Sequence, residues 1–226
     1  MRKNVRGVWA IVPVKTFVQA KQRLACVLST HERAQLAEAM LFDVLDQLTA
    51  LHQLAGIMVV TADPSAAQIA GSFGARHIWD PLEAGINQAV ARGLDAVRSH
   101  ECPVAIIAAD VPFATSAEIA EAVSYLERDP VVLTPAEADG GTNLLALRRV
   151  DLIEPSFGEG SFARHREQAR ALNLSCGIFR ARGLGHDIDR PGDLLTPASS
   201  GARRVRALLE TLNVTARLQT VLEHAG

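Results

Sequence analysis

The chain has 226 residues, 48% of them hydrophobic, a formal charge of −2 and a pI near 6.4. That length bounds one domain with a substantial core, and the slightly acidic balance speaks against a general nucleic-acid binder, which carries a basic excess. With aromatics at 4% there is no base-stacking platform, and Cys26, Cys102 and Cys176, three and far apart, offer neither a disulfide framework nor a zinc spacing.

Residues 8–14 (VWAIVPV) read as a first buried strand. Ser29 to Glu32 spells a capping box, and Leu36, Met40, Val44, Leu48 and Leu51 follow at helical spacing, predicting an amphipathic helix to about residue 51. A second strand covers Ile57 to Thr61, and Asp63-Pro64 opens another helix, with proline tolerated at its first position. Residues 76–79 are a short third strand and Ile86 to Val97 a third helix. Val104 to Ala109 is the most uniformly apolar strand, and Thr115 to Glu118 a second capping box opening a helix to about Glu127. Strands follow at 131–134 and 142–147, then a helix from about Ser161 to Leu172 and a last strand, Ser175 to Arg180. Continuous apolar strands alternating with helices predict a three-layer α/β/α fold on a mostly parallel sheet.

Residues 195–202 (LTPASSGA) read as a linker, so the expected organisation is one domain over 1–200 and a helical extension over 201–226. In the extension Val205, Leu208, Leu209, Leu212, Leu218, Val221 and Leu222 mark an amphipathic helix or helix pair. Its apolar face fits packing on its own subunit or across a homodimer, and the dimer is the expectation. No apolar run reaches the ~18 residues of a membrane span, and the N-terminus lacks a signal-peptide cleavage region, so a cytoplasmic location without membrane contact is expected.

In open α/β sheets, ligands bind outside the carboxyl ends of the strands. The loop after the first strand carries Lys15, Lys21 and Arg23, two of the only three lysines in the chain. Lys supplies a compact point charge suited to a phosphate, where Arg supplies a flat fork. Asp110 follows the apolar strand 104–109, placed either to hold a metal or substrate or to turn the chain into the next helix. Asp187 and Asp189 flank Ile188; in an extended segment positions i and i+2 point the same way, so both carboxylates could face one Mg²⁺, a hard cation held by carboxylates, phosphates and waters. Gly140-Gly141-Thr142-Asn143 and Phe157-Gly158-Glu159-Gly160-Ser161 are glycine-rich turns, the second at a helix start, where free N–H groups favour an anion. Arg164 and His165 read as solvated helix residues, and Gly85-Ile86-Asn87 either offers an amide to a nucleoside or simply opens a helix.

The motifs recur in a fixed order: Pro13-Val14-Lys15, Ala20-Lys21-Gln22-Arg23-Leu24-Ala25, Leu28-Ser29 before Glu32-Arg33, Thr61-Ala62-Asp63 and Gly85-Ile86-Asn87. They continue with Asp110-Val111-Pro112, Gly141-Thr142-Asn143-Leu144-Leu145, the run Phe157 to Phe162, His165, and Asp187 to Leu194. Over about residues 8–195 this pattern resembles the guanylyltransferases of coenzyme F420 biosynthesis, compact relatives of the MobA-like nucleotidyltransferases with a GT-A-type fold. The resemblance implies transfer of GMP from GTP to the phosphate of 2-phospho-L-lactate, phosphoenolpyruvate or 3-phospho-D-glycerate, with release of pyrophosphate. It also implies that Asp110, Asp187 and Asp189 hold Mg²⁺, that Thr142, Gly158 and Ser161 contact the acid, and that Lys15, Lys21 and Arg23 face the GTP phosphates. Asn87 and Asp63 would lie nearer the nucleoside. Ile86 stands where the family usually shows Leu, and the helix past residue 200 is outside the core pattern. Other nucleotidyltransferases of this fold carry a glycine-rich loop after the first strand, whereas PVKTFVQAKQRL holds no glycine. A non-catalytic nucleotide-binding module would be expected to lack part of the acidic set, which here is whole.

Overall fold

A computed structural model describes residues 7–196 and 201–224. Residues 197–200 of the expected linker, and the side chains of Val221 and Leu222, lie outside the described residues. The chain runs β1 (Val8–Pro13), α1 (Thr30–Thr49), β2 (Leu54–Thr61), α2 (Pro64–Ser72), β3 (Arg76–Trp79), α3 (Ile86–Val97), β4 (Val104–Ile107) and α4 (Ser116–Ser124). It continues through β5 (Val131–Pro135), β6 (Thr142–Leu147), α5 (Ser161–Ala171), β7 (Cys176–Ile178), α6 (Arg203–Thr211) and α7 (Val214–His224).

The strands form one seven-stranded sheet in the order β3-β2-β1-β4-β6-β5-β7. All neighbours are parallel except β6, which runs antiparallel to both β4 and β5. Both faces are covered, which is why the strands read as continuous apolar runs rather than alternating ones. Ala10 and Val12 of β1 and Leu144 and Ala146 of β6 point to one side, toward α1, α2 and α4. Ile11, Leu145 and Leu147 point to the other, toward α3 and α5. On that second side Gly93 lets α3 lie close to the sheet, since a Cβ there would sit 2.6 Å from Ile11 Cγ2.

Both capping boxes form. The Ser29 amide donates to Glu32 Oε2 at 2.8 Å, and the Thr115 amide donates to Glu118 Oε2 at 3.0 Å. The C-terminal segment is a helix pair that packs on its own chain, one of the two arrangements its apolar face allowed. Asp43, buried on α1, accepts the amides of Arg204 at 3.0 Å and Val205 at 2.9 Å, capping α6 from another helix. Val205, Val214 and Leu218 join the same core cluster as α1. These apolar residues of the extension are therefore covered within the chain.

Three strand ends open on one edge. β1 is flanked by β2 on one side and β4 on the other, so the chain leaves β1 and β4 in different directions and a crevice forms at their carboxyl ends. Because β6 is reversed, its amino-terminal residues Thr142 and Asn143 reach that same edge.

Candidate active site

The loop after β1 is built without glycine and is held at three points. Phe17 and Leu24 are buried, and the Phe17 amide donates to Asp63 Oδ2 at 2.8 Å. Between two short 3₁₀ turns Lys21 takes a left-handed backbone with φ 54°. A non-glycine residue there costs about 1–2 kcal/mol, which the anchored turns on either side supply. That turn sends the Lys21 ammonium inward, where its side chain keeps only 8% of its surface. Nζ lies 2.6 Å from Asp110 Oδ2 and 3.8 Å from Asp189 Oδ1. Arg23 sits 2.5 Å from Asp189 Oδ2, with Asp139 and Glu159 close enough to add to the field that holds it charged. Lys15 is exposed on the same loop and forms no ion pair among the described residues.

The three acidic residues lie in one neighbourhood: Lys21 bridges Asp110 and Asp189, and Asp110 stands near enough to Asp187 to raise its pKa. Ile188 is fully buried, its amide donates to the Asp110 carbonyl at 3.0 Å, and the carboxylates on either side of it face the crevice. Asp187 accepts from Asn143 Nδ2 at 3.3 Å. Burial pushes its carboxyl above the usual range, and the negative charge of Asp110 pushes it further. Among the described residues, no three acidic, histidine or cysteine side chains stand close enough to enclose a metal ion in this arrangement. Instead Lys21 and Arg23 neutralise Asp110 and Asp189.

The glycine-rich turns meet beside this cluster. Gly158 (φ 117°) and Gly160 (φ 66°) give the backbone a course that L residues rarely follow, and the Phe162 amide donates to the Gly140 carbonyl at 3.1 Å, joining the two turns. Ser161 is the first residue of α5, and its hydroxyl lies 3.0 Å from Thr142 Oγ1. Thr142 also lies 3.1 Å from His165 Nδ1, and the Ser156 amide donates to His165 Nε2 at 2.9 Å. Contrary to the expectation of a solvated residue, His165 is fully buried, its ring against Phe157; burial, aided by the neighbouring Arg164 charge, lowers its pKa from 6.5 to about 4. Arg164 is no free charge either: it donates to the carbonyls of Glu159 at 2.7 Å and Ser156 at 2.8 Å, strapping the turn.

The two residues expected near a nucleoside serve as tethers here. Asp63 caps α2, accepting from the Ser65 and Ala66 amides through Oδ1 while Oδ2 holds Phe17. Asn87 pairs with the backbone of Phe157 in both directions, accepting at 2.7 Å and donating at 3.3 Å. Four residues that shape the site were given no role from sequence: Asn143, Asp139, Glu159 and His165. For Asn143 the signal was available, an amide side chain at the start of a strand that is otherwise buried and mostly apolar. For Asp139 and Glu159, acids in glycine turns, there was none.

Cations held against carboxylates at the strand ends, beside a glycine-lined pocket of hydroxyls, define a nucleotidyltransferase-type site on a GT-A-like sheet. Solved structures share the fold: a protein assigned as a nucleotide-diphospho-sugar transferase from Desulfovibrio desulfuricans G20 superposes with a TM-score of 0.75 at 18% identity, over 95% of this chain and 97% of that one. A nucleotidyl transferase from Methanothermobacter thermautotrophicus does so with a TM-score of 0.61 at 16% identity, over 91% and 99%.

The chain belongs to the guanylyl transferase CofC-like family, whose model matches residues 8–219. The match runs through α6 and into α7, further than the pattern ending near 195 anticipated. A 3-phospho-D-glycerate guanylyltransferase from Phenylobacterium zucineum is 40% identical over 93% of this chain and 99% of its own length. A phosphoenolpyruvate guanylyltransferase from Sphaerobacter thermophilus is 40% identical over 82% and 89%. A 2-phospho-L-lactate guanylyltransferase from Methanothermobacter thermautotrophicus is 32% identical over 82% and 81%. None of the described helices is long and apolar enough to cross a membrane.

Proposed function

We propose that this protein moves GMP from GTP onto the phosphate of a three-carbon phospho-acid, 2-phospho-L-lactate, phosphoenolpyruvate or 3-phospho-D-glycerate, as a step of coenzyme F420 biosynthesis. A phosphate oxygen of the acid attacks the α-phosphorus of GTP, the bond from that phosphorus to the bridging oxygen breaks, and pyrophosphate departs. The nucleophile is already ionised at neutral pH, so no side-chain base is required. The obstacle is repulsion between two polyanions that must meet in line.

Lys21, Arg23 and Lys15 would supply the opposing charge, trading their carboxylate partners for phosphate oxygens of GTP. Thr142 and the Gly158–Ser161 turn would hold the acid. Asp63 would act on the nucleotide side by tethering Phe17 of the cationic loop, and Asn87, by tethering Phe157, would steady the turn that holds the acid. Mg²⁺ fits the donors present: Asp110, Asp187 and Asp189 offer only hard oxygens, and Asp187, half-buried beside a second carboxylate, forms no ion pair among the described residues. Bound there, it would neutralise charge on the phosphates and fix their orientation.

The observation that carries this reading is the Lys21–Asp110–Asp189–Arg23 cluster at the crevice, beside the Thr142 pocket. The test is pyrophosphate release from GTP and Mg²⁺ with each acid added separately. Release with one acid, absent without it, supports the reading. Silence with all three overturns it.

A further inference from the structure

We propose that His165 is a positioning residue that sets the hydrogen-bond polarity of the acid pocket, forcing the Thr142 hydroxyl to donate outward to an ionised oxygen of the substrate. The inference rests on the reading above, in which that pocket receives a phospho-acid.

The argument is a count of protons. A backbone amide can only donate, so the Ser156 N–H at 2.9 Å requires a lone pair on His165 Nε2. A neutral imidazole carries one proton, which must then sit on Nδ1. Nδ1 faces Thr142 Oγ1 at 3.1 Å, so the ring donates to that oxygen. Ser161 Oγ lies 3.0 Å from the same oxygen and, wholly buried, has no other hydrogen-bond partner for its hydroxyl among the described residues, so its proton goes to Thr142 as well. Both lone pairs of Thr142 are thereby taken, and its own proton must find an acceptor elsewhere. Of these three residues Thr142 alone retains surface, 6% against 0% for Ser161 and His165. It also begins β6 next to Asn143, which holds Asp187, so the remaining proton faces the crevice.

The opposite tautomer would reverse the network. With the proton on Nε2, Nδ1 would accept from Thr142 and leave the pocket without a donor. The Ser156 amide prevents this, and the depressed basicity of the buried ring keeps a second proton off Nε2 across the physiological range. Ser156, His165, Ser161 and Thr142 thus form a relay with all donors aimed one way, matched to an anion. Ser161 acts within it by orienting Thr142, since its own hydroxyl has no accessible surface.

Steady-state kinetics on wild type, His165→Leu and His165→Asn test this, with thermal melting to establish folding. Leu removes the relay. Asn can restore the donor to Thr142 without the ring. A hydrogen bond to a charged oxygen is at stake, so KM for the acid should rise about tenfold to a hundredfold in His165→Leu. KM for GTP should stay within about twofold, and Asn should recover part of the loss. An unchanged KM for the acid overturns the proposal, and so does an equal loss for both substrates, which marks a structural role alone. If the variants do not fold, NMR of the wild type with isotope-labelled histidine decides: a proton on Nδ1 supports the relay and one on Nε2 overturns it. Wild type inactive with every acid would be failure of the functional reading instead, and the tautomer measurement still judges the relay.

Discussion

Acidification should weaken this protein through His165 in particular. The ring is fully buried and already accepts the Ser156 amide at Nε2, so a second proton there would set two donors against each other. Its folded pKa is lowered from 6.5 to about 4, burial being the larger cause and the Arg164 charge the smaller. In the unfolded chain the same imidazole titrates near its ordinary value. Between those two values the unfolded state binds more protons, so the stabilisation is complete above about pH 6.5 and is lost as the pH falls toward 4. The whole interval is worth about 3 kcal/mol, a large part of the roughly 5–15 kcal/mol that holds a domain together. Urea unfolding of wild type and His165→Asn, from about pH 7.5 to about pH 4.5, isolates the effect, because every other titrating group is common to both proteins. At neutral pH the variant should be the less stable, by about 1–3 kcal/mol for the lost bonds. The gap should then narrow by about 1.4 kcal/mol per pH unit below 6.5. A gap of the same size at both ends of the range would mean that the ring titrates alike in both states, and the argument would be wrong.

Asp110→Asn should lose turnover by about a hundredfold or more while the sheet stays intact, as pyrophosphate release and circular dichroism would read. Lys21 is nearly buried against Asp110, so Lys21→Met should lower kcat/KM for GTP by about a hundredfold or more, seen in initial rates at varied GTP. Pairing that change with Asp110→Asn should restore the melting temperature lost in Asp110→Asn alone without restoring activity, because the uncompensated ammonium is then gone. Asp43→Ala should cost about 2 kcal/mol in urea unfolding by freeing the α6 amides at Arg204 and Val205, with kcat unchanged.

The parallel half of the sheet was legible because each buried strand ended at a turn signal followed by a helical period, and the capping boxes marked two helix starts to the residue. The reversal of β6 was hidden for a physical reason: a strand covered on both faces reads alike in either direction. The clue lay in the short connection over residues 136–141, since a parallel return needs a crossover of about a dozen residues or more. Asp43 offered a similar clue. An acid between Met40 and Val44 on the apolar face of α1 demands a partner, and the partner is the start of α6. His165 gave none, because α5 is polar on nearly every side and its burial comes from the Ser156–Phe157 turn folding over it.

Lys21 and Asp110 are 89 residues apart and Arg23 and Asp189 are 166 apart, so sequence could propose two sets of ligand-binding charges but not their contact. That contact changes how the site is understood. With the cationic loop closed on the carboxylates, neither set is an open binding surface, and each neutralises the other. Such a pair adds little stability by itself, because desolvation offsets most of the attraction. On the proposed function it would provide exchange: phosphate oxygens of GTP would compete with Asp110 and Asp189 for Lys21 and Arg23, and Mg²⁺ would compete with Lys21 and Arg23 for the carboxylates. Each competitor would then release the group the other requires, so nucleotide and metal would favour one another's binding by the same factor, whichever arrived first. The left-handed turn at Lys21 fixes the geometry of that exchange, since it turns the ammonium toward the acids while Phe17, Leu24 and Asp63 keep the loop from moving away.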